Sequence, residues 1–326
     1  MPSNRKIVLV PDTMGRAGVA LLESREDLDV RSYATTISQR DLLPLLPDAV
    51  GIALSGTPYR RTEMDASPAM QVVARIGVGY DAVEVPALTA RRVPLMIAGT
   101  SNSTSVAEHA LYLMMTLAKR GPALDQLVHT ARWADRHTGL PVELSGKTVL
   151  VVGFGRIGTR SARRCTAFDM TVLVFDPFVA ADTIRAAGFE PATDLDTAVE
   201  RADFVTIHCP KTPETVGLFD ARRLARMKRG AFIVNTARGG IIDEPALHQA
   251  LTSGHLAGAG LDVFAEEPTP ADNPLLKLPN VISSPHMAGV TVESVAGMAR
   301  VTAENILSVL DGTPIRAHVV NPEALS

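Results

Sequence analysis

The chain has 326 residues, 46% hydrophobic and 21% charged, with 24 glycines, 22 prolines and a formal net charge of −3. This composition excludes disorder, and the lack of a basic excess, with aromatics at 4%, argues against nucleic acid as a partner. Cys165 and Cys209 form no CxxC and are too few for a disulfide framework, so a chain this long is expected to fold as two globular domains without metal or disulfide staples.

A first series of short β-branched runs occupies residues 6–10, 29–32, 50–54, 71–76 and 93–97. The spacing then predicts a helix over 104–120, opened by Ser103-Thr104-Ser105 with Glu108 following. Its apolar residues run nearly all the way round. It is therefore covered on several sides, either as a homodimer interface or as a central helix of a monomer. Residues 133–144 read as an exposed connection. A second series of runs occupies 148–152, 171–175, 204–208, 232–235, 257–262 and 281–284. A last helical pattern covers 292–310 and is stopped by Asp311-Gly312 and Pro314. Most runs are continuously apolar rather than alternating, as in strands buried on both faces, and helical patterns lie between them. The expected fold class is α/β, with two doubly wound parallel sheets. The apolar run at 7–10 is too short for a signal peptide and the stretch 110–118 too short for a membrane span. A cytoplasmic protein with no membrane partner is expected.

The strongest local signal is the strand 148–152 running into Gly153-Phe-Gly155-Arg156-Ile157-Gly158 and then a helical pattern. Gly153 suits the tight turn, Gly155 the approach of a pyrophosphate and Gly158 the packing of helix on strand. The helix N-terminus offers N–H groups to phosphates. Asp176 lies 23 residues beyond Gly153 (176 − 153), at the end of the next strand, where it can accept from ribose hydroxyls; this favours NAD over NADP. Gly77-Val78-Gly79-Tyr-Asp-Ala82 has a similar spelling, but Pro86 follows and no amphipathic helix comes directly after. It reads as a nest of N–H groups for a substrate carboxylate, or as an ordinary tight turn.

Three further groups each follow a predicted strand: Thr236-Ala237-Arg238-Gly239-Gly240, Asp262 with Glu266-Glu267-Pro268, and Ser284-Pro285-His286-Met-Ala288. Alone, Arg238 reads as a surface turn residue, Glu267 as a solvated acid and His286 as a loop histidine. Together, at the ligand-binding edge of one sheet, they fit hydride transfer. Histidine exchanges a proton near neutrality, a neighbouring carboxylate favours its charged form, and arginine binds a carboxylate as a fork. Asp262 suits the nicotinamide carboxamide. HExxH, GxSxG and GxxxxGK[ST] are absent and no metal site is expected. Glu108 and His109 read as structural. The cluster Arg160, Arg163, Arg164 and the cluster Arg222, Arg223, Arg226, Lys228, Arg229 read as solvated helix faces.

Taken jointly, residues 74–81, 102–108, 152–158, 208–215, 235–243, 261–264, Glu267-Pro268 and Pro285-His286 resemble the D-isomer-specific 2-hydroxyacid dehydrogenases. The resemblance implies Arg238, Glu267 and His286 as the catalytic set. It implies NAD contacts at Val78, Gly153, Gly155, Arg156, Ile157, Gly158, Asp176, Cys209, Thr215, Thr236, Ala237, Asp262, His286 and Ala288. It places substrate contacts at Ser55, Gly77, Val78, Gly79, Arg238 and His286. The implied fold is a Rossmann nucleotide domain, 101–289, inserted into a flavodoxin-like substrate domain, 1–100 with 290–326, with the active site in the cleft. It also implies a homodimer through the nucleotide domain. Phosphoglycerate-specific relatives carry an arginine where this chain has Leu54; Arg75 is retained, and Arg60 or Arg61 is a substitute. The chain ends at Ser326, so no appended regulatory domain is expected. The alternative reading is an NAD-sensing binding protein like the C-terminal-binding-protein corepressors, and a third is a non-oxidative NAD-dependent isomerase or lyase.

Overall fold

The structure is a computed structural model and describes residues 5–326. It contains two compact units, one made of the residues up to Asn102 together with Val290–Ser326, the other Ser103–Gly289.

The first unit holds the strands β1 (Lys6–Pro11), β2 (Leu28–Tyr33), β3 (Ala49–Leu54), β4 (Val72–Arg75) and β5 (Leu95–Met96), all parallel, in the order β2-β1-β3-β4-β5. Successive residues of β1 point to opposite faces, and both faces are covered. Val8 and Val10 pack with Ala299, Ala303 and Ile306 of the helix Val292–Leu310, while Leu9 packs with Leu42, Leu46 and Tyr59 on the other side. That is why the run reads as continuously apolar. The expected strand 93–97 contracts to Leu95–Met96 because its ends bond elsewhere. Val93 N–H closes the preceding helix on Leu88 O, and Ile97 N–H donates to His318 O. Buried Asn321 then stitches the C-terminal segment to this edge. Its Oδ1 accepts from Leu95 N (2.7 Å), and its Nδ2 donates to Thr89 Oγ1 (3.0 Å) and Val93 O (3.1 Å).

The second unit is a seven-stranded parallel sheet in the order β12-β11-β10-β9-β6-β7-β8. Its strands are β6 (Thr148–Val152), β7 (Thr171–Phe175), β8 (Glu190–Pro191), β9 (Phe204–Ile207), β10 (Phe232–Asn235), β11 (Gly258–Leu261) and β12 (Val281–Ser283). The direction of winding reverses between β6 and β9, the point at which such sheets bind ligands beyond their strand C-termini. Leu150, Val152, Val205 and Ile207 enter one core layer, and Val149, Val151, Phe204 and Val234 the other. The helix Ser103–Lys119 seals the second layer with Ala110, Leu113, Met114 and Leu117. The two-residue β8 and the helix Gly121–His129 carry no periodic signal that the sequence reading picked up. That helix buries none of its residues. The second basic cluster is largely answered by carboxylates, Asp196 receiving Arg222 and Arg223, Glu200 receiving Arg226 and Asp203 receiving Lys228, while in the first Arg164 reaches Glu108. Among the described residues no helix is long and apolar enough to cross a membrane.

Candidate active site

At the C-terminal end of β6 the chain turns through Gly153 at φ +95° into the helix Arg156–Thr166. A Cβ on Gly153 would lie 2.7 Å from Cys209 N, and one on Gly158 would lie 1.9 Å from Gly153 O. Packing within the chain therefore demands both glycines. Gly155 differs, because a Cβ there would meet nothing within 4 Å. The open space over Gly155 is the kind of cradle a side chain would fill, and the helix that follows has no side-chain cap on its first N–H groups. Both features fit a diphosphate. Asp176, after β7, accepts from Phe154 N at 2.8 Å through one oxygen and from Phe178 N at 2.9 Å through the other. Each oxygen keeps a lone pair for a ribose hydroxyl.

Two buried side-chain atoms at the ends of the neighbouring strands β9 and β10 have no partner among the described residues: His208 Nδ1 and Thr236 Oγ1. Burial depresses the His208 pKa to about 3, so the ring stays neutral. Orphaned buried polar groups are rare, and two of them at a strand-end ligand edge fit a polar ligand. His208 closes the run 204–208 and opens the segment 208–215, and neither reading gives its side chain a role. Its signal was a histidine standing directly after a buried strand. Cys209 is half-buried, and burial pushes its thiol up to about 11, so the thiol stays protonated. Thr215 braces the 210–215 turn, donating to Pro210 O and accepting from Thr212 N, each at 2.7 Å.

The acid–base group is built on the loops after β10, β11 and β12. Asn235 wraps the first loop: its Oδ1 accepts from Ala237 N (3.0 Å) and its Nδ2 donates to Arg238 O (2.9 Å). Arg238 Nη1 donates to Ala237 O at 2.7 Å. The next residue must be glycine, since a Cβ on Gly239 would fall 1.7 Å from Phe264 O. That contact holds the arginine loop against the loop that carries Glu267. Glu267 is anchored at both oxygens. Oε1 accepts from Phe264 N at 3.0 Å, and Oε2 accepts from His286 Nδ1 at 2.7 Å. A carboxylate only accepts, so Nδ1 carries a hydrogen and Nε2 is the ring nitrogen available to exchange a proton.

His286 sits at φ +55°, a left-handed conformation uncommon outside glycine. Its N–H donates to Asp262 O at 2.8 Å. Asp262 is 1% exposed, and its carboxylate accepts from Ser284 Oγ (2.5 Å), Met287 N (2.8 Å) and Ala288 N (2.9 Å). Asp262 thus holds the histidine loop, a role that the sequence reading, which gave it to a carboxamide, did not include. One lone pair remains for a ligand.

The remaining sequence-picked residues lie in the first unit. Ser55 follows β3, and Gly77, Val78 and Gly79 follow β4. Arg75 ties these two strand ends together, donating to Leu54 O at 3.1 Å and to Gly79 O at 2.8 Å. Leu54 is wholly buried.

The sequence model for the D-isomer specific 2-hydroxyacid dehydrogenase NAD binding domain matches residues 111–288. D-3-phosphoglycerate dehydrogenase of Mycobacterium bovis is 41% identical over 307 residues, covering 94% of this chain and 57% of that protein. The chain spans between half and three-fifths of the curated relatives it matches. Among solved structures, the TT0316 protein of Thermus thermophilus superposes with a TM-score of 0.88 at 33% identity, covering 96% of this chain and 99% of that one. D-lactate dehydrogenase of Aquifex aeolicus, complexed with NAD and lactic acid, gives 0.85 at 26% identity, covering 96% and 99%. The chain belongs to the D-isomer specific 2-hydroxyacid dehydrogenase family and carries its NAD-binding domain.

Proposed function

We propose that this protein is an NAD-dependent oxidoreductase acting on a small D-2-hydroxy acid or the corresponding 2-keto acid. In this reading Ser103–Gly289 is the nucleotide domain and the other unit the substrate domain, and the enzyme works in the cytoplasm. The nicotinamide cofactor, when bound, would accept a hydride from C2 of the hydroxy acid as NAD+ or give one to C2 of the keto acid as NADH. The chain's own residues do the rest. The turn at Gly153–Gly158 and the following helix hold the diphosphate, and Asp176 holds the adenosine ribose and disfavours a 2′-phosphate. Arg238 binds the substrate carboxylate and polarises the neighbouring carbonyl. His286 delivers a proton from Nε2 to the carbonyl oxygen during reduction and removes it during oxidation. Glu267 fixes the tautomer and the orientation of the ring, as a carboxylate does for a catalytic histidine elsewhere.

The observation that carries the reading is the 2.7 Å contact between His286 Nδ1 and a Glu267 carboxylate whose other oxygen is tied to Phe264 N. A solvated loop acid would need no such anchor. The names of the relatives, a D-3-phosphoglycerate dehydrogenase and a D-lactate dehydrogenase, agree on the 2-hydroxy acid class. They are dehydrogenases, which favours turnover over a corepressor-like binding role. The test is a panel of 2-keto acids, from glyoxylate to 3-phosphohydroxypyruvate, with NADH oxidation followed by absorbance. Wild type consumes NADH on at least one acid. His286→Ala and Arg238→Ala each lose about a hundredfold or more in kcat/KM while NADH still binds. Wild-type rates in either variant overturn the assignment.

The partner in this reading is a second copy of the chain. The helix Gly121–His129 buries nothing, and beside it Trp133 is 64% and Leu140 69% exposed, with Tyr112 and Val128 exposed too. Apolar side chains concentrated on one segment mark an interface. Sedimentation of wild type is expected to show a dimer, and Val128→Glu/Leu140→Glu a monomer.

A further inference from the structure

His109 opens a line of polar contacts that ends on the loop carrying His286. Its Nε2 lies 2.8 Å from Ser284 Oγ, and that hydroxyl donates to Asp262 Oδ1 at 2.5 Å. Ser284 has one hydroxyl hydrogen and the carboxylate only accepts, so the hydrogen is committed to Asp262. Ser284 Oγ is therefore the acceptor toward His109, and the hydrogen of the His109 ring is on Nε2. The same buried carboxylate takes the N–H groups of Met287 and Ala288, and the Asp262 carbonyl takes that of His286. One residue thus pins the loop 284–288 at four points. Among them is a histidine in a left-handed conformation, which persists only where the surroundings over-determine it.

His109 is well placed to complete such a clamp. It stands on the 17-residue helix Ser103–Lys119, which is fixed to the sheet by Leu113, Met114 and Leu117, and its ring packs 5.4 Å from that of Tyr112. A donor on a rigid element orients the hydroxyl it meets. A hydrogen bond into Ser284 also strengthens the next bond along the line, to Asp262. We propose that His109 is a positioning residue: by donating Nε2–H to Ser284 it locks the Ser284–Asp262 clamp and so holds the backbone of His286 in its reactive place. The kinetic consequence rests on the dehydrogenase reading, whereas the structural one does not.

The experiment compares His109→Leu, His109→Gln, Ser284→Ala and the His109→Leu/Ser284→Ala pair in the full chain. Leucine keeps the bulk and removes the donor, while the glutamine amide restores an N–H. His109→Leu and Ser284→Ala are each expected to lower kcat about tenfold with a smaller change in the NADH KM, because misplacing a reacting group costs rate more than cofactor binding. His109→Gln recovers most of that loss. The pair is no worse than Ser284→Ala, since both changes break one line. Amide hydrogen exchange over 284–288 speeds up in the two damaging variants and not in His109→Gln. This arm reads the clamp without any turnover, so a wild type inactive on every keto acid defeats the dehydrogenase reading and leaves the clamp to be decided by exchange. The proposal is overturned if His109→Leu keeps wild-type kcat and wild-type exchange at 284–288, if His109→Gln is as slow as His109→Leu, or if the two losses multiply. Should His109→Leu fail to fold, Ser284→Ala against wild type tests the same link, and unchanged kcat and exchange there also overturn it.

Discussion

Two turns in this molecule share a spelling, glycine-x-glycine after a buried strand, and differ in what makes the glycines necessary. At Gly153–Gly158 the chain itself forbids side chains at the first and third positions, where a Cβ would sit 2.7 Å and 1.9 Å from backbone atoms. Only the middle glycine faces open space. At Gly77–Gly79 a Cβ on Gly77 would meet nothing nearer than Met298 Sδ at 3.9 Å, and the requirement is the backbone, at φ +126°. The first turn is closed by packing against a helix that begins at once. The second is shaped from outside by Arg75, which holds Gly79 O. A motif read as letters does not separate these cases. The distance a missing Cβ would have to its neighbours does.

The largest effect expected from that contrast comes from Gly158→Ala. Its methyl group collides with a carbonyl oxygen fixed in the turn, and overpacking of backbone on backbone cannot be relieved by a rotamer change. The variant is expected to lose NADH binding and to melt about 10 °C lower. Gly77→Ala carries only the strain of a glycine-type backbone, about 1–3 kcal/mol, and is expected to leave NADH binding intact. Thermal melts and NADH fluorescence titrations on the two variants compare the turns directly. Equal losses in both would erase the distinction between a turn closed by packing and one shaped by its backbone.

The same contrast explains how much of the molecule was readable from its sequence. Strands buried on both faces announce themselves, because Val8, Leu9 and Val10 all have to be apolar. The ends of strands do not, since Val93 and Ile97 give their N–H groups to a helix end and to His318, partners that no local pattern records. The helix Gly121–His129 escapes a sequence reading because its apolar stripe is only three residues long, Leu124, Leu127 and Val128, the first two half-buried and the last exposed. It is set off by Arg120 at φ +53° and a proline in its first turn. Arg238, Glu267 and His286 were readable because each follows a strand and each has the chemistry of a donor, acceptor or fork. The link from His109 to Asp262 was not, as it joins side chains 175 and 22 residues apart through one hydroxyl. Asp262 was picked for a ligand, and most of its capacity is spent on the chain.

A smaller effect is expected at the acid that completes the packed turn. Asp176→Asn keeps an acceptor for Phe154 N and removes the charge and one acceptor from the ribose site. The NADH Kd is expected to rise about tenfold, the scale of a lost hydrogen bond to a charged group, while NADPH binding improves or holds. Fluorescence titration with both cofactors reads the ratio. A ratio unchanged from wild type would mean that Asp176 serves the turn alone.

The smallest effect belongs to the other turn. Arg75→Met keeps the length of the side chain and removes its donors to Gly79 O and Leu54 O. Each bond from the charged guanidinium contributes about 1.5–3 kcal/mol at most, and the loop 77–79 stays covalently tethered at both ends, so it loosens without being lost. Under the proposed reaction the KM for the keto acid rises about three- to tenfold, with kcat little changed, because loosening a binding loop removes ground-state and transition-state binding alike. The NADH Kd changes less than that KM, since Val78 is the one implied cofactor contact in this loop and the packed turn in the other unit is untouched. Steady-state kinetics with the best acid of the panel, alongside the NADH titration, separates these terms. A fall in kcat at constant KM would place Arg75 in the reacting geometry instead of the shaping of the loop, and the two glycine turns would then differ in chemistry as well as in packing.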